Sequence, residues 1–524
     1  MGSSARRTGE IEDALEQRRM FLGPSFSTHY ANPIVVRRGK GAVLFDDRGQ
    51  GFIDVVNNPA CVGHCHPLPV RAAAAQMARL NTNTRYVYPE LANYARQLSD
   101  TLPDGLHVCY FVNSGSEAND LALRMAKAYT KQADVVVVDG AYHGHTHEVV
   151  KISPYKYEGK GGFPQPDTTH KVPIPCMYRG KHRNDSNPGA AYAEYARRAV
   201  DDIAEKGRKP AAFFCEGVLS TAGYVPLPKG YLRDVYRYIR AQGGVCVSDE
   251  VQSGFGRSGS GKMWGFELQD VVPDIVTMGK PMGNCFPLAA VVTRVEIAQA
   301  FANGMEYFNT FGGGPVAMRV GSAVLQAIRE DNVLAHVEDV GPYLLSLLRA
   351  LQDKHKCIGD VRGAGLFIGV ELVRGDGSQE PAPEIADWVS EASRARGVLL
   401  GTDGKYHNVL KVKPPLCISR HQIDLIVTVM DEVLSSMPSV GTDALRKLAG
   451  DPRSFEEDAA SLSRVRMLIK RHGVGAGPTW EGNQGDEAEE DGTVTVTLSG
   501  LTNLALGALI GALLVAVMLR KHAQ

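Results

Sequence analysis

The chain has no excess of either charge. Over 524 residues, 57 Lys and Arg stand against 58 Asp and Glu, a formal net charge of −1. That leaves no basic surplus for neutralising a nucleic-acid backbone, and no nucleic-acid partner is expected. Its nine cysteines are scattered without a CxxC pair, which suits a reducing compartment better than a disulfide framework. The opening MGSSARR lacks the apolar run of a secretory signal, and Arg6 stands where the myristoylation pattern needs Ser or Thr. No internal repeat is visible. What is present is the apolar, charged and glycine content of an ordinary globular protein, long enough for two or more domains and a large core.

One long apolar run breaks this pattern. From Gly492 to Leu519 there is no charged residue. The stretch 498–519, LSGLTNLALGALIGALLVAVML, is as a helix roughly 33 Å long, enough to cross a bilayer. Arg520-Lys521-His522 follow it, and the acidic lead-in EGNQGDEAEEDG argues against docking into a core. Gly507 and Gly511 form a GxxxG, which reads more simply as the small-residue content of membrane helices than as a pairing face. The expectation is a transmembrane tail anchor at 497–519, with the catalytic body facing the cytosol, on the mitochondrial outer membrane or the endoplasmic reticulum.

Ahead of the anchor, residues 1–60 read as an N-terminal arm with a charged helix near 10–20 and short strands. Residues 61–330 alternate apolar strand-like runs with longer helical patterns, which predicts βαβ units in a large domain with a mostly parallel sheet. Residues 331–438 read as a smaller α+β C-terminal domain containing the strand GLFIGVELV, and 439–496 as a charged linker. The expected fold class is therefore α/β, with a transmembrane helix at its end.

Five strands in the middle region run into polar residues. HVCYFV (107–112) meets Asn113-Ser114-Gly115-Ser116 and then a helix. DVVVV (134–138) leads to Tyr142-His143. AAFFC (211–215) meets Glu216, VCVS (245–248) meets Asp249 and Gln252, and DIVTM (274–278) meets Gly279-Lys280. In a parallel sheet the carboxyl ends share one edge, where ligands bind. For an aromatic phosphate each piece has a job. The Ser114-Gly115-Ser116 turn offers free amide N–H groups at a helix start for a phosphate. Tyr142 or His143 can stack on a ring. Asp249 can hold a protonated ring nitrogen. Lys280, desolvated at a strand end, should have a lowered pKa and serve as amine nucleophile and base. Taken singly these features are weak: most such lysines are solvated, a strand-end Asp is often a helix cap, and Ser-Gly-Ser is often only a turn. Their order together describes pyridoxal phosphate.

NSGSEAND, AYHGHT, SDEVQSGFGRSGSGKMW, PDIVTMGKPMGN and EYFNTFGG resemble the class III, fold type I, pyridoxal-phosphate aminotransferase family over about residues 20–438. VGHCHP, LNTNTRY, ISPYKY, GRKPAAFF, GDVRGAGLFIGVEL and NVLKVKPPLC resemble one subgroup, the alanine–glyoxylate aminotransferase 2-like phospho-lyases acting on ethanolamine phosphate or 5-phosphohydroxy-L-lysine. The resemblance implies Lys280 as the lysine tethering the cofactor and Asp249 on the pyridine nitrogen, with Glu216 among the cofactor-binding residues. It implies Gln252 near the ring hydroxyl, Gly115 and Ser116 on the phosphate, and Tyr142 stacked on the ring. Thr310 would reach the neighbouring subunit's cofactor, which implies a homodimer.

Two departures bear on reaction type. The family's transaminases usually carry an arginine three residues before a Pro-Pro pair, to clamp a substrate carboxylate; here Lys411 stands there, a point charge suited to phosphate. They also carry a second glutamate five residues after the first, where this chain has Thr221. The expectation is a phospho-lyase that eliminates phosphate and ammonia from a small phosphorylated amine. The alternatives are a transaminase using a 2-oxo acid, or a non-catalytic membrane scaffold, which the joint presence of Lys280 and Asp249 disfavours. Residues 254–259 match GxGxxG, and 256–262 nearly match a P-loop with Met263 in place of Ser or Thr, but neither joins a strand to a clear helix. The histidines of VGHCHP and YHGHTH raise zinc, yet no second cluster has ligand spacing, so no metal site is expected.

Overall fold

The computed structural model describes residues 3–455. The expected membrane anchor at 497–519 and most of the linker lie outside that range. Among the described residues no helix is long and apolar enough to cross a membrane.

A seven-stranded sheet organises the middle of the chain, and all five expected strands are in it. Its spatial order is Val108–Val112, Ala289–Thr293, Ile275–Met278, Val245–Asp249, Pro210–Glu216, Asp134–Val138 and Thr169–Val172. Val245–Asp249 runs parallel to both neighbours, in register Asp249↔Thr277 and Asp249↔Glu216. Ala289–Thr293 runs antiparallel to the strands on either side of it, so the sheet is mixed. Its apolar AAVVT was not singled out in sequence, because composition carries no strand direction.

Burial follows from the period-2 alternation of strands. In Asp134–Val138, Val136 and Val138 join one apolar cluster with Tyr192, Ala196 and Val235 of the helices Pro188–Glu205 and Tyr231–Ala241. Val135 and Val137 join another with Leu121, Ala122 and Met125 of the helix Gly115–Thr130. A strand covered on both faces must be apolar throughout, which is why this one reads as an unbroken valine run.

The predicted strand in GLFIGVELV is Phe367–Leu372, inside a four-stranded antiparallel sheet ordered Ile358–Ala364, Phe367–Leu372, Val409–Val412, Gly401–Asp403. The N-terminal arm begins as the helix Ser3–Phe21, and its strand Gly51–Asp54 pairs parallel with Val398–Leu399 from far down the chain. Beyond residue 438 the helix Thr442–Gly450 buries Leu445 and Ala449 in the main core. The glycine-rich stretch 254–263 is a run of turns that opens no α-helix and leads into the short 3₁₀ turn Gly265–Gln269. It is stapled by the buried Arg257, whose guanidinium donates to the carbonyls of Leu366 (3.1 Å) and Pro414.

Candidate active site

The carboxyl ends of the strands converge on one cavity of about 300 Å³. Ser114, Gly115, Ser116, Tyr142, His143, Glu216, Asp249, Gln252 and Lys280 all line it, though they come from separate stretches of sequence. Two of the expected site residues, Thr310 and Lys411, do not line this cavity, and Thr310 is exposed.

Ser114 caps the helix Gly115–Thr130, its Oγ accepting from the Glu117 amide (3.2 Å). This leaves the Gly115 and Ser116 amides at the positive end of the helix, facing the cavity. Position 115 requires glycine for reasons of space. A Cβ there would sit 2.7 Å from Val251 Cγ1 and 2.9 Å from Cγ2. Ser116 Oγ accepts from the His145 amide (3.1 Å) and so ties the helix start to the loop carrying Tyr142 and His143. Tyr142 packs edge-on to His145, with ring centroids 5.4 Å apart.

Asp249 is buried at the end of its strand. Its Oδ2 meets Asn119 Nδ2 and His143 Nδ1, each at 2.8 Å, and its Oδ1 accepts from the Val251 amide at 3.0 Å. Thr277 Oγ1 donates to Asn119 Oδ1 (2.7 Å) and fixes that amide. His143 thus stands at the carboxylate, while its buried Nε2 has no partner among the described residues. Asn119 went unnoticed in sequence. The signal was there: a polar residue on a helix whose neighbours Ala118, Leu121 and Ala122 are all buried.

Lys280 follows the strand Ile275–Met278, and enclosure by protein lowers its pKa, opposed by the charges of Asp249, Glu216 and Asp403. The buried Glu216 has its pKa raised by desolvation and by Asp249. It ends a chain of donors. Lys413 Nζ donates to Gln252 Oε1 (3.0 Å), Gln252 Nε2 to Ser220 Oγ (2.7 Å), and Ser220 Oγ to Glu216 Oε1 (2.5 Å). Both ends of the Gln252 amide are therefore engaged by protein.

Lys411 lies 3.6 Å from Asp403 Oδ2, which also accepts from Tyr224 Oη (2.8 Å). Lys413, which sequence reasoning passed over, is buried beside it, and desolvation pulls its pKa down to about 7. His29, from the N-terminal arm, stands near both lysines; partial desolvation of its ring and then Lys411 lower its pKa. Thr221, at the position of the transaminases' second glutamate, is buried and donates to the Gly140 carbonyl (2.8 Å).

The model of the family described as aminotransferase class-III matches residues 26–434. The chain belongs to the class III aminotransferase family. It is therefore a pyridoxal-phosphate enzyme of fold type I, and solved class III neighbours include a cofactor-bound form. Among its class III relatives, it is 44% identical over 476 residues to an alanine–glyoxylate aminotransferase 2-like protein of Drosophila melanogaster, covering 86% of this chain and 96% of the relative. To an ethanolamine-phosphate phospho-lyase homolog 1 of Caenorhabditis elegans it is 42% identical over 440 residues, covering 81% and 94%. Among solved structures, a phospholyase from Arthrobacter in complex with phosphoethanolamine superposes with a TM-score of 0.78 at 35% identity, covering 81% of this chain and 100% of that one.

The cavity fits the family cofactor. It offers an anion-ready helix start crowded against Val251, a buried carboxylate held by two side chains, and an amine of lowered pKa, all lining the same cavity.

Proposed function

We propose that this chain is a phospho-lyase, releasing phosphate and ammonia from a small phosphorylated amine, phosphoethanolamine or 5-phosphohydroxy-L-lysine, to give an aldehyde. The observation that carries the reading is the pair Lys411 and Lys413. They sit two apart along the Val409–Val412 strand and its continuation, where a transaminase presents an arginine fork. Two ammonium groups suit a phosphate, whereas a planar fork suits a carboxylate. The kinship with phospho-lyases supports the same reading.

In this reading the Gly115 and Ser116 amides hold the cofactor phosphate and Tyr142 stacks on the ring. Asp249 holds a proton at the ring nitrogen, with Asn119 and His143 fixing its carboxylate. Glu216 and Gln252 border the ring's remaining edge, and Thr310 reaches into the neighbouring subunit of a homodimer. When bound, pyridoxal phosphate links to an amine and withdraws electrons from the carbon beside that nitrogen. Lys280, its pKa lowered by enclosure, is the base that takes the proton from that carbon. Thr221, committed to a backbone carbonyl, supplies no second carboxylate for alternating between two substrates. The apolar run 498–519 anchors the enzyme to a membrane, with this site in the cytosol.

The test is incubation with either phosphate ester and no keto acid, assaying phosphate, ammonia and aldehyde. Equimolar release of all three is expected. Amino transfer that needs a 2-oxo acid and releases no phosphate would establish the transaminase instead.

A further inference from the structure

Elimination of a phosphate ester has a requirement that proton removal by Lys280 does not meet. When the C–O bond breaks, its electron pair leaves on a phosphate oxygen, and a fully ionised phosphate is a poor leaving group unless that oxygen gains a proton. An acid near the phosphate end of the substrate is needed, with a proton affinity near the working pH.

We propose that Lys413 is that acid, donating its ammonium proton to the departing phosphate oxygen. The proposal rests on the phospho-lyase reading above. In the balanced step, Lys280 takes the proton from the carbon bearing nitrogen, and the electron pair of that C–H bond becomes a C=C bond. The C–O pair leaves with phosphate, and the Lys413 proton bonds to the bridging oxygen. Phosphate departs as the hydrogen phosphate dianion, and Lys413, left neutral, recovers a proton from solvent.

The geometry singles out Lys413 among the cations of the site. Lys411 is paired with Asp403, and Arg257, whose guanidinium does not yield protons, is bonded to the Leu366 carbonyl. Lys413 spends one N–H on Gln252, which itself lines the cavity, leaving its other donor positions for a substrate oxygen. Lys413 does not itself line the cavity; it stands directly behind the lining Gln252 and within electrostatic range of Lys280. The groups facing it are Asp403, Lys411, Lys280 and Arg257, with the Tyr224 ring at 5.9 Å and His29 beyond Lys411. Burial first, and then three cations against one carboxylate, pull the amine down to about 7, so above that pH it is mostly neutral until an anion arrives. A phosphate dianion would restore the proton, so substrate binding itself would arm the acid.

The test compares phosphoethanolamine with ethanolamine O-sulfate, because sulfate leaves as a stable dianion and needs no proton. Lys413→Met should raise KM for both esters, lower kcat for phosphate release by roughly 10²–10⁴-fold and leave kcat for sulfate release near the native value. Lys413→Arg keeps the charge but holds its proton. It should restore KM for phosphoethanolamine without restoring kcat, and this arm decides the matter if the wild type does not turn over the sulfate ester. A readout independent of turnover is calorimetric proton uptake when inorganic phosphate binds the holoenzyme at about pH 8, expected in the wild type and absent from Lys413→Met. Equal losses on both esters, recovery of kcat by Lys413→Arg, or equal proton uptake in both proteins would overturn the assignment. A wild type that transaminates and frees no phosphate would overturn the phospho-lyase reading instead.

Discussion

The fit between Gly115 and Val251 makes a quantitative prediction. Gly115→Ala places a methyl 2.7 Å from Val251 Cγ1 and 2.9 Å from Cγ2, so something must move. Val251 cannot easily rotate away, because a β-branched side chain has few rotamers and its own amide is tied to Asp249 Oδ1 at 3.0 Å. Either the helix start retreats from the cavity or Val251 pushes back on the carboxylate. Overpacking of this kind costs about 1–3 kcal/mol. If most of it falls on the cofactor-loaded form, pyridoxal phosphate should bind roughly 5- to 150-fold more weakly. Val251→Ala alone removes two methyl groups and costs about 1–2 kcal/mol. In the double variant the new methyl occupies the vacated space, so the two effects should largely cancel. Cofactor affinity is read from the visible absorbance retained during dialysis, and stability from thermal melts. Additive losses in the double variant, or unchanged affinity in Gly115→Ala, would refute the argument that this contact sets the phosphate cradle.

Asp249→Ala strands the buried His143 Nδ1 and one N–H of Asn119 Nδ2, whose other N–H keeps the His143 carbonyl (2.8 Å), at ~1–3 kcal/mol each. Melting should show that loss, while kcat falls by at least about 10²-fold and bound cofactor falls far less; a native elimination rate would refute the electron-withdrawing role of the ring. Lys413 carries a pH signature of its own. Its folded pKa, about 7, lies below the unfolded value of 10.5, so between those limits the unfolded chain binds a proton that the folded chain does not. Its contribution to stability therefore rises with pH across that window, and the wild-type Tm should gain on that of Lys413→Met from pH 7 towards 10. A constant difference would contradict the depressed value. Deleting residues 497–524 should move the protein from a carbonate-resistant membrane pellet to the supernatant, with elimination activity intact.

The parts of the site legible in sequence were those where a polar residue interrupts an apolar strand at its end. Asp249 and Lys280 stand out because their strands are otherwise uniformly buried, and parallel βα order predicts a common edge for them. Lys413 did not stand out. It lies on an alternating stretch that also reads as a solvent-facing edge, and only the approach of Val55, whose carbonyl accepts the Lys413 amide at 2.9 Å, and of Gln252 shows that it is buried. His29 was unreadable for a related reason, since the arm is brought to Lys411 by long-range contacts: Gly51–Asp54 pairs with Val398–Leu399, and Tyr30 Oη donates to the Leu400 carbonyl (2.8 Å). The assignment of His143 to ring stacking shows another limit. Spacing could bring it to the cavity but could not show that its Nδ1 belongs to Asp249.

The strand that runs against its neighbours has a further consequence. Because Ala289–Thr293 returns directly beside Ile275–Met278, the chain must turn back within residues 279–288. That one hairpin carries Lys280 at its start and Cys285, Phe286, Pro287 and Leu288 of the cavity wall at its end. The reactive amine and the surface that shapes its surroundings are thus threaded on a short tether whose two ends are locked into adjacent ladders. Lengthening or shortening the tether would shift the wall against the amine, whereas exchanging side chains along it would reshape what the pocket accepts and leave the amine where it stands.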